Sequence, residues 1–335
     1  MKTIEVGILG ATGAVGQKFI ELLLPHPWFK ITAVAASERS VGKKYKEAVN
    51  WVLPSSPGYV ADMTVEACRP GIKPKLLFSA LDSSVATEIE GAFLDAGYTI
   101  VSNAKNFRMY ENVPLLVPEV NPEQLSWLKN QKKGQIVTVP NCSTVGLALA
   151  LKPLYDQFGI ESVSVVTLQA ISGAGYPGVA SLDIVDNVIP FISGEEAKME
   201  TEPLKILGDS AIKISAHCNR VAVSDGHTEC VSVKLKTHAT REQVLEAWEN
   251  YKGLPQKLNL PSAPMKPIYY HHEEKYPQPK LHRNHDKAMS VHIGRLRPCN
   301  LFDFKFTLLS HNTVRGAAGG GILNAELMVQ ESFVR

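Results

Sequence analysis

One cysteine of the chain lies in a context that suits a covalent nucleophile. Cys142 is part of Val139-Pro-Asn-Cys-Ser-Thr-Val-Gly146, where an apolar run ends at Pro140 and a helical pattern begins within a few residues. A helix N-terminus lowers the pKa of a thiol because it stabilises the thiolate, which is the nucleophilic form. Its N–H groups can also stabilise an oxyanion on a thiohemiacetal or thioester. The alternative is a buried structural cysteine, the usual state of a lone cysteine.

A cysteine nucleophile needs a base, and one histidine is placed to supply it. His227 follows Gly226 in Arg220-Val-Ala-Val-Ser-Asp-Gly-His-Thr-Glu-Cys230, between two apolar runs that indicate strands. Turns beside strand ends are frequent positions for functional side chains. The other interpretations are a histidine in a surface loop and, for Arg220, an ordinary surface charge.

Two groups of histidines invite a metal-site interpretation that their spacing does not favour. His217, Cys218, His227 and Cys230 fit no common structural zinc pattern. The second group is better interpreted as a polar loop that enters a strand. Its members are His282, His285, Asp286 and His292. We therefore predict that the protein uses no metal.

The N-terminal segment contains a glycine turn typical of nucleotide binding. Gly10-Ala-Thr-Gly13-Ala-Val-Gly16 follows an apolar run at 4–9 and precedes a helical pattern at 17–24. Gly10 and Gly13 let the backbone approach a phosphate, and the helix N-terminus supplies N–H donors and a positive dipole end. A second apolar run at 31–36 completes the strand–turn–helix–strand layout of a dinucleotide-binding unit.

The residues after the second run bear on the choice of cofactor. NAD-specific folds place an acidic residue there, which accepts hydrogen bonds from the ribose 2′-OH. Here Arg39 lies between two serines, where it can hold a 2′-phosphate by charge-assisted hydrogen bonds. Glu38 keeps NAD use open, and a solvated turn without a ligand is the remaining interpretation. We favour NADP.

The elements that must position these residues follow two patterns. Before Cys142, strand-like runs alternate with helical patterns, which predicts a doubly wound parallel sheet. These runs lie at 4–9, 31–36, 76–79, 99–102 and 136–139, and the helices at 17–24 and 85–96. After Cys142, a helix that is apolar nearly all round precedes β-rich runs, which predicts an α+β domain with an antiparallel or mixed sheet. This helix lies at 145–158, and the β-rich runs at 162–171, 220–223, 230–235, 289–297 and 302–310.

Length and composition exclude several classes of protein. The 335 residues exceed a usual single core, so two domains are expected. The net charge is +2 and no basic block occurs, which indicates neither a nucleic-acid nor a membrane partner. Five scattered cysteines are typical of reduced thiols, and the N-terminus shows no signal-peptide pattern. We therefore expect a soluble, cytoplasmic protein whose partners are small molecules.

Two further segments stand out. The run Gln169-Ala-Ile-Ser-Gly-Ala-Gly-Tyr-Pro-Gly178 is too rich in glycine for a strand interior. Its glycines let the backbone approach a ligand closely, or they form a tight connection between domains. The segment 193–206 opens a helix whose first turn is acidic, and an interpretation as a charged helix face explains it without any site.

Four strings in order, GATGAVGQ, PNCSTVG, QAISGAGYPG and NTVRGAAGGGILNAEL, resemble the aspartate-β-semialdehyde dehydrogenase family. The resemblance covers the chain from Ile4 to Leu327, and GHTE and YPG look like the branch shared by archaea, fungi and some bacteria. It implies a Rossmann-type NADP-binding domain of residues 1–141 and 312–335. The remaining residues, 142–311, would form the substrate-binding, catalytic and dimerisation domain of a homodimer or homotetramer.

The family's reaction is the reductive dephosphorylation of L-4-aspartyl phosphate by NADPH, which yields L-aspartate 4-semialdehyde, NADP and phosphate. It belongs to the biosynthesis of lysine, threonine, methionine and isoleucine. The resemblance implies that Cys142 forms the thioester, that His227 is the acid/base for the thiol and the hemithioacetal oxygen, and that Gln169 orients the acyl group. It places Arg220 on the substrate α-carboxylate and Glu202 near the amine. The other implied substrate residues are Arg108, Lys205 and Asn141 for the phosphate, with Ser172 and Gly173.

The resemblance also implies a set of cofactor-binding residues. These are Gly10, Thr12, Gly13, Ala14, Val15, Ser37, Arg39, Ser40, Ser172, Gly175 and Asn312. Malonyl-CoA reductase, of the same branch, is an alternative that shares SGAGYPG, the histidine motif and the AAGGG tail. It would attack a CoA thioester with the same cysteine. A non-catalytic NADP-binding redox sensor is the second alternative, but such a protein is expected to have lost part of the nucleophile, base and arginine set.

Overall fold

The computed structural model describes residues 3–334 and divides into two compact units. Unit 1 comprises the residues up to Leu116, Glu123–Pro140 and the residues from Ala317 onward. Unit 2 comprises Val117–Pro122 and Asn141–Gly316. Each unit is thus assembled from separate segments of the chain, so that residues far apart in sequence share a core.

Unit 1 is built on a six-stranded parallel sheet in the order β3-β2-β1-β4-β5-β6. The strands are β1 (Ile4–Leu9), β2 (Phe29–Ala36), β3 (Glu66–Ala67), β4 (Leu76–Ser79), β5 (Thr99–Ser102) and β6 (Gln135–Thr138). The order reverses at β1 and β4, and ligands of such sheets bind beyond the carboxyl ends of the strands at this switch point. The predicted doubly wound parallel sheet is confirmed.

The helices of unit 1 bury the faces of this sheet. They are α1 (Ala14–Leu23), the short α2 (Tyr45–Ala48), α3 (Ser83–Asp95) and the C-terminal α10 (Gly319–Gln330). One buried cluster joins Leu9, Leu77 and Ile136 of the sheet to Phe93 of α3. α10 is buried over most of its length, and its Glu326 accepts a hydrogen bond from His26 across 2.7 Å. This tie holds the last segment of unit 1 to the first.

Unit 2 contains a mixed six-stranded sheet in the order β10-β11-β12-β9-β7-β8. Its strands are β7 (Ile160–Gln169), β8 (Lys213–Arg220), β9 (His227–Leu235), β10 (Ile268–His271), β11 (Val291–Pro298) and β12 (Phe304–Ser310). The pairs β7–β8 and β10–β11 are parallel and the others are antiparallel. The predicted α+β arrangement is confirmed, but the strand expected at 220–223 is wrong, because β8 ends at Arg220 and the chain turns there.

Among the helices of unit 2, α4 contributes much of the hydrophobic core. The helices of this unit are α4 (Cys142–Phe158), α5 (Ser181–Ile184), α6 (Glu195–Leu207), α7 (Arg241–Glu249), α8 (Leu254–Lys257) and α9 (Pro279–His282). Trp248 of α7 is fully buried against Phe306, and its indole N–H donates to the carbonyl of Ala150 across 2.9 Å. Within residues 3–334, no helix is both long and apolar enough to cross a membrane.

Candidate active site

Cys142 is the first residue of α4. The side chain of Asn141 caps this helix, because its Oδ1 accepts from the backbone N–H groups of Ser143 (3.0 Å) and Thr144 (3.4 Å). The helix therefore begins three residues earlier than the apolar pattern predicts, which places the thiol in the first turn. There it lies at the positive end of the helix dipole, where a thiolate is stabilised.

His227 lies beside this thiol. Its Nε2 is 3.2 Å from Sγ of Cys142. His227 is the first residue of β9 and is fully buried, so it is not a histidine of a surface loop. The two side chains are 85 residues apart in sequence, and the start of β9 and the start of α4 bring them into contact. The pair has the close contact between a nucleophile and a histidine that covalent catalysis uses.

The hydrogen bonds of His227 determine which ring nitrogen carries the proton. The backbone N–H of Ala170 donates to Nδ1 across 3.0 Å, so Nδ1 presents a lone pair. Burial, reinforced by Arg220 and His311, lowers the pKa of His227 to about 3. The ring is therefore neutral at pH 7 and carries its hydrogen on Nε2. This N–H points toward the sulfur of Cys142.

The ends of β7 and β8 place two more predicted residues at the same edge of the sheet. Gln169 and Arg220 are opposite each other in the parallel register, and both are buried. Arg220 donates from Nη1 to the carbonyl of Ala170 across 2.7 Å. A Cβ on Gly173 would lie 2.7 Å from this Nη1 and 3.2 Å from Cε1 of His227. The glycine-rich loop therefore packs directly against the arginine and the histidine.

Two carboxylates of α6 support the residue before the nucleophile. Oε2 of Glu202 accepts from the backbone N–H of Asn141 across 2.6 Å. Oε1 of Glu195 accepts from Nδ2 of Asn141, also across 2.6 Å. Glu195 also contacts Gln169 and Lys198. Burial opposes its ionisation, but the charge of Lys198 and the hydrogen bonds outweigh burial and lower the pKa of Glu195.

The interpretation of this acidic segment as a charged helix face does not account for its buried inner side. Glu195 and Glu202 are 5% and 2% exposed. Glu196 and Glu200, on the same helix, accept hydrogen bonds from backbone N–H groups of β8. Glu195 is not among the residues predicted from the sequence, because its only signal is an acidic residue in a first helical turn, which a dipole effect already explains.

Four more predicted residues lie in the same unit. Lys205 is half-buried near the end of α6, which continues through Pro203. Burial lowers the pKa of Lys205 to about 8, although the charge of Glu202 opposes this. Asn312 donates from Nδ2 to Oγ of Ser172 across 2.8 Å, and its Oδ1 accepts from the backbone N–H of Gly226 across 2.8 Å. Gly175 adopts a φ of 73°, a backbone conformation that favours glycine.

Most of the predicted cofactor-binding residues lie in unit 1, at the carboxyl ends of β1 and β2. Gly10, in the left-handed region at a φ of 72°, directly follows β1, and a Cβ there would lie 2.6 Å from the carbonyl oxygen of Ala80. Gly13 precedes α1, whose N-terminus has no side-chain cap and no acidic residue in its first turn. A Cβ on Gly13 would meet no atom closer than 3.5 Å, so this side of the turn is open. These features fit a phosphate.

The remaining predicted residues of unit 1 lie in this turn, at the start of α1, after β2 and after β5. Thr12 belongs to the turn, and Ala14 and Val15 open α1. Ser37, Arg39 and Ser40 follow β2, with Ser37 and Arg39 exposed and Ser40 buried. Arg108 lies in the loop after β5, and its Nη2 donates to the carbonyl of Asn103 across 2.9 Å. Arg39 thus lies beyond the end of β2, the position at which Rossmann-type folds recognise the 2′-substituent of the ribose.

The histidine groups have a different arrangement from a metal site. His217 is exposed and Cys218 is buried, since neighbouring residues of a strand face opposite sides. His271 and His292 are in contact through Nε2 and Nδ1 at 3.0 Å, and burial lowers the pKa of His292 to about 3. Among residues 3–334, no group of three or more His, Cys, Asp and Glu side chains is arranged to hold a metal ion.

Two family models match the chain. Residues 5–128 match the semialdehyde dehydrogenase NAD-binding domain. Residues 151–315 match the semialdehyde dehydrogenase dimerisation domain. The two matches cover most of the chain and follow the same order as the two units.

Named relatives are similar over nearly the full length. The aspartate-semialdehyde dehydrogenase of Archaeoglobus fulgidus is 49% identical, covering 98% of this chain and 99% of the relative. That of Schizosaccharomyces pombe is also 49% identical, with the same shares. Among solved structures, an aspartate semialdehyde dehydrogenase with NADP from Candida albicans is 43% identical, with a TM-score of 0.94 and coverage of 99% of this chain and 100% of that one.

Proposed function

This chain belongs to the aspartate-semialdehyde dehydrogenase family, and from that premise we propose that it reduces L-4-aspartyl phosphate to L-aspartate 4-semialdehyde with NADPH and releases phosphate. The observation that carries the proposal is the contact of Cys142 with His227 at the start of α4. The reaction is a step in the biosynthesis of lysine, threonine, methionine and isoleucine. The chain matches the NAD-binding and dimerisation domain models of this family, as expected of an NADP-dependent oxidoreductase.

We propose that Cys142 is the nucleophile. Its thiolate attacks the acyl carbon and the carbonyl electrons move to oxygen, so that an oxyanion forms near the start of α4. When the carbonyl reforms, phosphate leaves with the electron pair of its bond to carbon, and a thioester of Cys142 results. NADPH, when bound, supplies the hydride that reduces this thioester. The hemithioacetal oxyanion then expels the Cys142 thiolate and yields the aldehyde.

His227 serves the sulfur and the hemithioacetal oxygen in this scheme. The resemblance implies that His227 acts as an acid and a base. Because Nδ1 accepts the hydrogen bond from Ala170, Nε2 carries the hydrogen, and we propose that His227 acts as a hydrogen-bond donor. Nε2–H can donate to the thiolate and then to the developing oxyanion. No step of this sequence requires His227 to gain a second proton, because the thiolate is regenerated when the aldehyde leaves.

The substrate residues are proposed by family resemblance and are supported by their chemistry. Arg220 is buried, permanently charged and able to bind the α-carboxylate with two N–H groups. Gln169 is proposed to orient the acyl group, and Glu202 to lie near the amine. The residues proposed for the phosphate and for the rest of the substrate are Arg108, Lys205, Asn141, Ser172 and Gly173.

The cofactor residues are proposed on the same basis. Gly10 and Gly13 allow close approach to a phosphate, and the uncapped start of α1 offers N–H donors to it. The other residues proposed for NADP are Thr12, Ala14, Val15, Ser37, Arg39, Ser40, Ser172, Gly175 and Asn312.

An Arg39→Ala variant is expected to raise KM for NADPH about 10- to 100-fold, because a charge-assisted hydrogen bond to the 2′-phosphate is lost. KM for NADH should stay within about twofold, since NADH has no group for this guanidinium. Steady-state kinetics with both cofactors measures the difference. Glu38→Ala is the matched control from the same exposed turn, and it should affect NADH alone. Equal losses with both cofactors would contradict the role of Arg39.

The activity itself is tested by following NADPH absorbance with two substrates, L-aspartate 4-semialdehyde and malonyl-CoA. We expect oxidation of L-aspartate 4-semialdehyde by NADP only when phosphate is present, because phosphate must release the acyl group from Cys142. Malonyl-CoA should give no turnover. Reduction of malonyl-CoA without phosphate dependence would replace this proposal with malonyl-CoA reductase.

The match to the family's dimerisation domain fits a homo-oligomer. We propose a homodimer or homotetramer assembled on the sheet of unit 2. On β7 and β9, side chains such as Leu168 and Cys230 are exposed and alternate with buried ones, so one face of this sheet is available. Sedimentation velocity measures the assembly, and a monomer at micromolar concentration would contradict it.

The five free cysteines support a cytoplasmic location.

A further inference from the structure

A fully buried ion pair lies in unit 2 at residues to which neither the motifs nor the proposed reaction assign a role. Arg315 donates from Nη1 to Oε1 of Glu119 across 2.8 Å and from Nη2 to Oε2 across 2.5 Å. The side chains are 1% and 0% exposed. Such a two-bond arrangement fixes orientation as well as distance. The two residues are 196 positions apart in the sequence.

Glu119 is itself held firmly. Its backbone carbonyl accepts from the hydroxyl of Tyr251. A Cβ on Gly253 would lie 2.6 Å from Cα of Glu119, so this backbone is in close contact. Glu119 is therefore a fixed point to which Arg315 is attached.

The segment that Arg315 anchors packs against the nucleophile. Arg315 lies in an irregular helical turn, Val314–Ala318. A Cβ on the next residue, Gly316, would lie 2.8 Å from Cα, Cβ and the carbonyl oxygen of Cys142. The backbone of this turn thus lies directly against the backbone of Cys142.

The segment that Arg315 anchors also contacts Gly226, the residue before His227. Asn312 accepts from the backbone N–H of Gly226 across 2.8 Å. Ser310, the last residue of β12, is opposite His227 in the sheet register. The stretch 310–316 therefore contacts Cys142 at one end and the start of β9 at the other.

The energetics of buried ion pairs argue against a purely stabilising role for this one. Two apolar side chains of similar volume are often as stabilising as a buried pair, because both ions lose their hydration. What the pair adds is one specific geometry. Here that geometry is the position of the turn that touches Cys142.

We propose that Arg315 and Glu119 are positioning residues, which hold the stretch 310–316 against Cys142 and so set the distance from its sulfur to Nε2 of His227. This inference rests on the proposed roles of Cys142 and His227. A displacement of about 1 Å between reacting groups costs about 100-fold in rate.

The test is the double variant Glu119→Met with Arg315→Met, which removes both charges and leaves no unpaired ion. Because apolar replacement is often neutral, its melting temperature should stay within about 5 °C of the native value. We expect kcat to fall about 10- to 100-fold. We also expect a changed pH dependence of Cys142 alkylation by iodoacetamide, measured by mass spectrometry. Native kcat and a native alkylation profile in the folded double variant would overturn the proposal.

Arg315→Lys provides a second route if the double variant does not fold. It keeps the charge but loses the two-bond fork, so it should fold and show a smaller change of the same kind. A native alkylation profile and native kcat in this variant would also overturn the proposal. Glu326→Gln is the matched control, since it weakens another buried pair, with His26, in unit 1. It should lower the melting temperature and leave alkylation unchanged.

The alkylation measurement keeps this inference separate from the proposed function. It needs neither aspartyl phosphate nor NADPH. If the protein does not turn over aspartyl phosphate, the proposed function fails, while the alkylation profiles of the variants still show whether the ion pair positions Cys142.

Discussion

Cys142→Ser is expected to lower turnover with L-4-aspartyl phosphate on the order of 10⁴-fold or more, because the bond-forming atom is removed. Serine keeps the size of the side chain and its reach toward Nε2 of His227. Its hydroxyl, however, is a far weaker acid than a thiol, so the start of α4 does not yield an alkoxide. The loss should appear in kcat, since the groups that hold the substrate are unchanged.

Two measurements make this expectation specific. Incubation of the native protein with acyl substrate should give a mass increase on the peptide that contains Cys142, and the serine variant should give none. Cys299→Ser is the control, since Cys299 lies beyond the end of β11 and has no part in the proposed reaction. It should retain native turnover. A serine variant of Cys142 with more than about a tenth of native activity would show that another group is the nucleophile.

His227→Ala is expected to lower kcat/KM by about 10²- to 10⁴-fold, the range found when a donor or an acid–base group is removed. His227→Gln should recover part of this loss. The amide nitrogen of glutamine can donate a hydrogen bond from a similar place to Nε2, but glutamine cannot take up a proton. Partial recovery is thus what a role as hydrogen-bond donor requires.

The pH dependence separates this role from general base catalysis. Burial, with Arg220 and His311, lowers the pKa of His227 to about 3. A group with a lowered pKa stays unprotonated as the pH falls, so His227 should be neutral from pH 9 down to about pH 4. The profile of kcat/KM should therefore have no acid limb from His227 between pH 5 and 7. An acid limb in that window that disappears in the glutamine variant would show that His227 titrates there and acts as a base.

The elements that the sequence predicts most accurately are those with a local signal. The apolar runs at 4–9, 76–79 and 99–102 coincide with β1, β4 and β5. Strands buried on both faces are continuous apolar runs that end sharply at turns, so their limits are visible in the chain itself. The glycine turn before α1 was recognised for the same reason, since a φ of 72° at Gly10 restricts the residue type.

Strands with mixed polarity were less visible. β8 (Lys213–Arg220) alternates exposed and buried residues and contains lysine, serine and histidine, and the apolar pattern indicated a strand only from Arg220 onward. β10 (Ile268–His271) was not predicted, because four residues with two tyrosines and a histidine carry little hydrophobic signal. Both strands exist because a neighbouring strand supplies their hydrogen bonds.

The sequence by itself determined the family, the two kinds of sheet and the candidate nucleophile at a strand–helix junction. These depend on residue types and spacings within short stretches of sequence, which can be identified without the tertiary structure. The tertiary structure decided what surrounds Cys142: the burial of Glu195, the Nδ1 bond from Ala170 that places the His227 proton, and the pairing of Arg315 with Glu119. Each of these joins residues 50 or more positions apart or depends on exclusion of water, and neither property is written in local spacing.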